Sequence, residues 1–249
     1  MLKRIYKPYG RCYMDESTGI EYASVTSILN IMEKGGLMPW AKNIALNHQQ
    51  QCVEAAFKGE RLIDWKEIKK EAIKAPDADR DKKGARGTRI HNIIERELNG
   101  VNITAELKED AKLTAIIMQV RKWIKESNLK PLLVEAYLIS KKHLYAGAVD
   151  LVARQETPEH GKQLILVDFK TGKGVYDTHT WQLAAYANAY HEMYGECPDI
   201  CFLQHISYDN QMMVEASHIH KAEIPKRFQE FSAIYGAFRA RWEKQLQAV

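Results

Sequence analysis

Apolar residues recur along this chain with two periods, and the places where the period changes divide it into elements. Residues 5–23 read as a short hairpin, with Tyr6, Tyr9, Tyr13 and Tyr22 flanking the turn-rich Asp15-Glu16-Ser17-Thr18-Gly19. Ser24 stands as the N-cap of a helix through Val25, Ile28, Leu29 and Met32, which Gly35-Gly36 ends. A second helix starts near Pro39-Trp40, where proline suits a first turn, and runs past Ala55. Over 59–83 charges dominate, and Pro76 with Asp77-Ala78-Asp79 predicts a break. That segment reads either as a solvated surface helix and loop or as a mobile element over a substrate channel.

From Gly84 the pattern is richer. Gly84-Ala85-Arg86-Gly87-Thr88 predicts a loop or helix start, and Ile90, Ile93, Ile94 and Leu98 share one face of a helix that stops at Asn99-Gly100. Residues 104–127 predict one amphipathic helix, with Leu107, Leu113, Ile116, Ile117, Val120 and Ile124 inward. Strands follow at Leu133–Ser140, Leu144–Arg154 and Gln163–Lys170, then a helix over Thr178–Tyr194, strands at Ile200–Ser207 and Met212–His218, and a closing helix over 223–245. Short connections make the first three of these strands an antiparallel meander, and the helix after the third allows a parallel crossover. The expected class is α/β, a mixed β-sheet flanked by helices with an N-terminal helical elaboration. The 249 residues suit a single domain: elaboration over 1–83, core over 84–218, C-terminal helix over 219–249.

Composition narrows function little. Hydrophobic residues make up 45% and charged ones 27%, ordinary for a soluble protein, and a net charge of +4 permits nucleic-acid binding without arguing for it. The cysteines Cys12, Cys52, Cys197 and Cys201 include no CxxC pair, so reduced thiols in a cytoplasmic protein are expected. No apolar run reaches the roughly 18 residues of a membrane span. No GxGxxG or GxxxxGK[ST] loop is present to cradle a nucleotide.

The chemistry gathers around Val167-Asp168-Phe169-Lys170-Thr171-Gly172-Lys173, which follows the apolar Leu164-Ile165-Leu166. Period two puts Asp168 and Lys170 on one face at the end of a buried strand, where charges are costly without partners. They could be a plain ion pair, or they could bind a divalent cation and hold a water. Tyr145-Ala146-Gly147-Ala148-Val149-Asp150 lies on the preceding strand, able to bring Asp150 beside Asp168; a hard cation relieves the repulsion of two such carboxylates. His91 and Glu95 share a helix face, as do Gln182 and Tyr186. Each pair reads as ordinary helix packing or as the lining of a cleft. Lys82, Lys83, Arg86 and Arg89, against the single acid Asp81, concentrate positive charge just before His91, where phosphates could arrive. Trp40 and Trp65 are core residues or platforms for stacked bases.

Taken in order, Gly87-x3-His91-x3-Glu95, Gly147-x2-Asp150, Asp168-Phe169-Lys170-Thr171-Gly172 and Gln182-x3-Tyr186 resemble the motifs of the RecB-like branch of the PD-(D/E)xK nuclease superfamily. The opening Tyr22-Ala23-Ser24-Val25-Thr26-Ser27-Ile28-Leu29, followed by Trp40, is similar to that of phage-type exonucleases and the mitochondrial genome maintenance exonuclease. The resemblance spans roughly residues 20 to 190 and implies a restriction-endonuclease-like core. It implies metal ligation by Asp150, Asp168, His91 and the Phe169 carbonyl, and a water-activating Lys170. Gln182 and Tyr186 would support the site, and Glu135 would act at its edge or toward substrate. Lys82, Lys83, Arg86, Arg89, Thr171 and Lys173 would meet DNA. Mg²⁺ suits the oxygen ligands, and the histidine suits Mn²⁺ as a substitute. Two late cysteines, where iron–sulfur relatives need three, argue against a cluster. The implied activity is a metal-dependent DNA exonuclease acting on free, single-stranded ends, in repair or recombination and in a bacterial or phage-infected cytoplasm, with a possible recombination or replication partner protein. A structure-selective endonuclease and a catalytically silent DNA- or partner-binding domain are the alternatives.

Overall fold

The computed structural model describes residues 2–32, 37–172 and 174–246, with side chains through Trp242. Three strands open the chain, β1 (Leu2–Lys7), β2 (Gly10–Asp15) and β3 (Glu21–Ser24). The helices α1 (Val25–Leu29), α2 (Leu37–Phe57), α3 (Trp65–Leu98), α4 (Thr104–Glu109) and α5 (Ala111–Glu126) come next. The meander β4 (Leu129–Ser140), β5 (Tyr145–Thr157) and β6 (Gly161–Lys170) leads through α6 (Asp177–Tyr194) to β7 (Ile200–Ser207), β8 (Met212–His220) and α7 (Ile224–Leu246). The chain divides into two compact units, Met1–Met32 with Ile90–Val249, and Glu33–Arg89.

The first unit is built on an eight-stranded mixed sheet. As the sequence leads one to expect, β4, β5 and β6 pair antiparallel, and α6 carries the chain across to β7, which lies parallel to β6. Leu164, Ile165, Leu166 and Val167 of β6 are wholly buried because both faces of the sheet are covered. One face packs on α1, α6 and α7, with Leu164 and Leu166 against Leu183, Ala184 and Phe231. The other packs on α5 and the last turns of α3, with Ile165 and Val167 against Ile90, Ile94, Ile116 and Ile117. Arg96, near the end of α3, forms an ion pair with Glu106 of α4.

Three local expectations are corrected. The opening hairpin is a three-stranded meander whose last strand joins β5 in parallel. The helix expected over 104–127 is two helices, because Asp110 takes an extended backbone and its side chain accepts the Leu113 N–H, capping α5. The break expected at Pro76 is absent: α3 runs through it, forgoing one backbone hydrogen bond, with Ile68 and Ala72 buried on the turns before it. The Gly84–Thr88 segment is helical as well. Gly35-Gly36 lie outside the described residues. The second unit, Glu33–Arg89, comprises α2 and the first part of α3, and α2 begins two residues before the expected Pro39.

Two irregularities mark the centre of the sheet. On β5, β3 pairs with Tyr145 and Ala146, and β6 pairs from Leu151 onward. Since β4 occupies the opposite edge of β5 throughout, β3 and β6 share one edge, and Gly147–Asp150 have no ladder partner on it among the described residues. The sheet therefore splits at Asp150. The alternation of faces also breaks here. Tyr145 and Val149 belong to the α6-side core, but Leu151 and Ala153 belong to the α5-side core. On β4, Leu138 and Ala136 face the α6 side while Val134 faces the other. Glu135, at the point of that switch, has a φ of 47°, a left-handed conformation that costs a non-glycine residue about 1–2 kcal/mol.

Candidate active site

Asp150 and Asp168 stand at the split on adjacent strands and are 8% and 3% exposed. Beyond Leu151↔Val167 the β5–β6 ladder stops. The Phe169 backbone N–H donates instead to Asp150 Oδ2, at 2.5 Å. The other Asp150 oxygen, Oδ1, lies 3.3 Å from His91 Nδ1 on α3, and His91 Nδ1 lies 3.8 Å from Glu135 Oε1. Donor atoms of His91, Glu135 and Asp150 all fall within 4.8 Å of one another, close enough to share one cation.

A second network runs from Asp168 to α6. Period-two geometry puts Asp168 and Lys170 on the α6 face, and there they meet Gln182. The Lys170 ammonium donates to Gln182 Oε1 at 3.0 Å. The Gln182 amide donates to Asp168 Oδ1 at 3.1 Å and to the Tyr186 hydroxyl at 2.8 Å. Both hydrogens and the oxygen of the amide are thus used, which fixes its orientation. Tyr186 lies over Gly147, where an added Cβ would stand 2.4 Å from Tyr186 Cε1, so only glycine leaves the ring its place. The alanines Ala184, Ala185, Ala187 and Ala189 let α6 lie close to the sheet. Asp168 Oδ2 is buried and accepts no aligned hydrogen bond, although the Lys170 ammonium is 2.6 Å away.

The electrostatics arise from this crowding. Burial, together with the neighbouring charge of Asp168, raises the pKa of Asp150 above the usual carboxylate range. Burial works against protonation of His91, but hydrogen bonds to Asp150 and Glu135 and the field of Asp168 more than offset it, lifting its pKa to about 10. Tyr186 is pushed well above 10 by burial and by Asp168. Two buried carboxylates, Glu135 beside them and an imidazole that must give up its extra proton to bind make a set of groups suited to a divalent cation.

His91, Glu135, Asp150, Asp168, Phe169, Lys170, Gln182 and Tyr186 are therefore brought together. Glu135 stands with His91 and Asp150, while Asp168 is engaged by Lys170 and Gln182. The Phe169 backbone takes part through its N–H. Thr171 is half-buried just after β6, and Lys173 lies outside the described residues. Lys82, Lys83, Arg86 and Arg89 lie on α3 in the second unit. There Lys83 pairs with Asp79 at 2.5 Å and sits 5.8 Å over the Trp40 ring, so neither is an open contact; Trp65 is exposed. Sequence reading missed His205, which lies on β7 in the parallel register opposite Lys170 and reaches the Gly172 carbonyl at 2.5 Å, tethering the loop after Lys170. Only the β6–β7 pairing gives it meaning; no local motif marks it.

No protein-family model and no curated protein matches the sequence. Among solved structures, SSO0001 is similar at 15% identity and a TM-score of 0.28, over 48% of this chain and 56% of its own. The chain thus spans little more than half the length of that structure. An alkaline exonuclease, LHK-Exo from Laribacter hongkongensis, is similar at 13% identity and a TM-score of 0.34, over 65% of this chain and 81% of its own. Among the described residues, no helix is long and apolar enough to cross a membrane.

Proposed function

We propose that this chain is a metal-dependent nuclease with a restriction-endonuclease-like core, hydrolysing DNA from free, single-stranded ends. The observation that carries the reading is the meeting, at one split in the sheet, of His91, Glu135 and Asp150 with the Asp168–Lys170–Gln182–Tyr186 network. The order of the motifs along the chain supports the same reading. His91, Asp150 and Asp168, with the Phe169 carbonyl, would hold Mg²⁺ or Mn²⁺, and Glu135 stands where it can join them or their waters. A bound divalent cation neutralises the scissile phosphate and acidifies water. Lys170 orients the attacking water and stabilises negative charge as it develops. Gln182 fixes the ammonium of Lys170 and the carboxylate of Asp168 at once, and Tyr186 fixes Gln182. Lys82, Arg86 and Arg89 of the second unit, and Thr171 and Lys173 of the first, would meet phosphates of the strand, whereas Lys83 would have to leave Asp79 to do so.

The test is incubation of the purified protein with end-labelled linear single-stranded DNA and with a closed single-stranded circle, in Mg²⁺, Mn²⁺ or EDTA, beside Lys170→Ala. Loss of the linear strand alone, dependent on metal and abolished by the substitution, is the expected result. Loss of both substrates makes the protein an endonuclease. Binding of DNA with no cleavage of either substrate, in any metal, overturns the catalytic reading.

A further inference from the structure

The second unit carries a triangle of donors of its own. His48 and Cys52 are one helical turn apart on α2, and Glu71 comes from α3. His48 Nε2 is 3.5 Å from Cys52 Sγ and 3.3 Å from Glu71 Oε2, and Cys52 Sγ is 3.5 Å from Glu71 Oε2. These are the edges of a coordination face. For a tetrahedral ion with Zn–N and Zn–O near 2.0 Å and Zn–S near 2.3 Å, the nitrogen–oxygen edge is about 3.3 Å and the two edges to sulfur about 3.5 Å. Ordinary hydrogen bonds have the same lengths, so the mark of the site is that a nitrogen, a sulfur and a carboxylate oxygen converge on one point.

A cation already stands at this face. Arg61 Nη1 lies 3.1 Å from Cys52 Sγ and 3.1 Å from Glu71 Oε2. A cavity of about 490 Å³, lined in part by His48, Glu71, Asn47 and Gln51, opens beside it, with room for a water or another small ligand in a fourth position. Cys52 itself is buried.

We infer that His48, Cys52 and Glu71 form a divalent-cation site selective for zinc-like ions, with Arg61 as a built-in competitor. The sulfur sets the selectivity, since thiolate favours Zn²⁺ and Co²⁺ over Mg²⁺ and Mn²⁺. Binding releases the Cys52 proton to solvent and breaks the Arg61 hydrogen bonds, while the ion joins α2 to α3. The site is thus chemically separate from one that takes Mg²⁺ at Asp150.

The experiment is titration of the full-length protein with Co²⁺ alone, following the sulfur-to-cobalt charge-transfer absorption in the near ultraviolet, then displacement by Zn²⁺. The expected result is a band saturating at one ion per chain, displaced by Zn²⁺ but not by excess Mg²⁺. Cys52→Ser should abolish it, and His48→Ala should weaken binding by about tenfold or more. The double variant His91→Gln/Asp150→Asn should keep it. Arg61→Gln should tighten binding several-fold, a gain that a purely structural role for these residues would not produce, and circular dichroism checks that each variant is folded. A band that survives in Cys52→Ser, no band at millimolar Co²⁺, or binding unchanged or weakened in folded Arg61→Gln would each overturn the inference.

Discussion

Asp150 Oδ2 takes the hydrogen of the Phe169 backbone N–H, so a side chain supplies the rung where the β5–β6 ladder stops. Acceptor and charge can be separated here. Asp150→Asn keeps an acceptor and removes the charge, and should lower cleavage at least about a hundredfold while leaving the metal-free fold as stable as before or more so, because repulsion with Asp168 is gone. Asp150→Ala removes both and should lose a further 1–3 kcal/mol or so, the cost of a buried N–H left unpaired. Denaturant titration in EDTA checks this; equal stabilities for the two variants would dismiss the hydrogen bond.

Glu135 carries its side chain from a left-handed backbone position in the middle of a strand. Alanine there keeps the strain, whereas glycine relieves it. Glu135→Gly should therefore be more stable than Glu135→Ala by about 1 kcal/mol, and both should cleave poorly. If alanine is the more stable of the two, the strain is not real.

Gly147 and Tyr186 occupy space that only one of them can enlarge into. Gly147→Ala should cost about 1–3 kcal/mol by overpacking and lower activity by shifting Tyr186 from Gln182. Combining it with Tyr186→Leu, which frees the space, should cost less than the sum of the two single changes. Strict additivity in a double-mutant cycle would show that the two positions do not meet.

The raised pKa values of His91 and Asp150 give a pH dependence with a definite sign. Folded, each holds its proton to higher pH than it would unfolded, so the folded state binds more protons and the stability contributed by these groups falls as pH rises. For His91 the contribution is full below its ordinary 6.5 and is lost as pH climbs toward about 10; for Asp150 the loss begins above its ordinary 3.8. Without metal, the melting temperature should fall more between about pH 6 and about pH 9 in the wild type than in His91→Gln. Metal affinity should rise over the same interval, because an ion must displace the His91 proton. Calorimetry with and without Mg²⁺ reads both, and identical slopes for the two proteins would refute the assignment.

Most of the sheet was legible in the sequence because its strands alternate or run apolar over enough residues to leave no other reading, β6 above all. The residues that meet at Asp150 were legible as separate short motifs. The split between them was not, because it arises from β3 and β6 contesting one edge of β5, a relationship between strands far apart in the chain. The place of Glu135 beside His91 is not legible for the same reason: its backbone leaves the alternation that a sequence reading assumes. Pro76 misled because a proline forbids one hydrogen bond, not a helix, when neighbouring turns are held. Asp110 was passed over in a periodic apolar run, although an acid three residues before a buried leucine is a capping signal.

The split at Gly147–Asp150 has one more consequence. Unpaired main chain on a sheet ordinarily invites another molecule's strand and leads to aggregation. Here β3 closes one end of the gap and β6 the other, while β4 fills the far side. A foreign strand finds no run long enough to pair with, so the interruption that sets the carboxylates apart from the ladder leaves no edge open to aggregation.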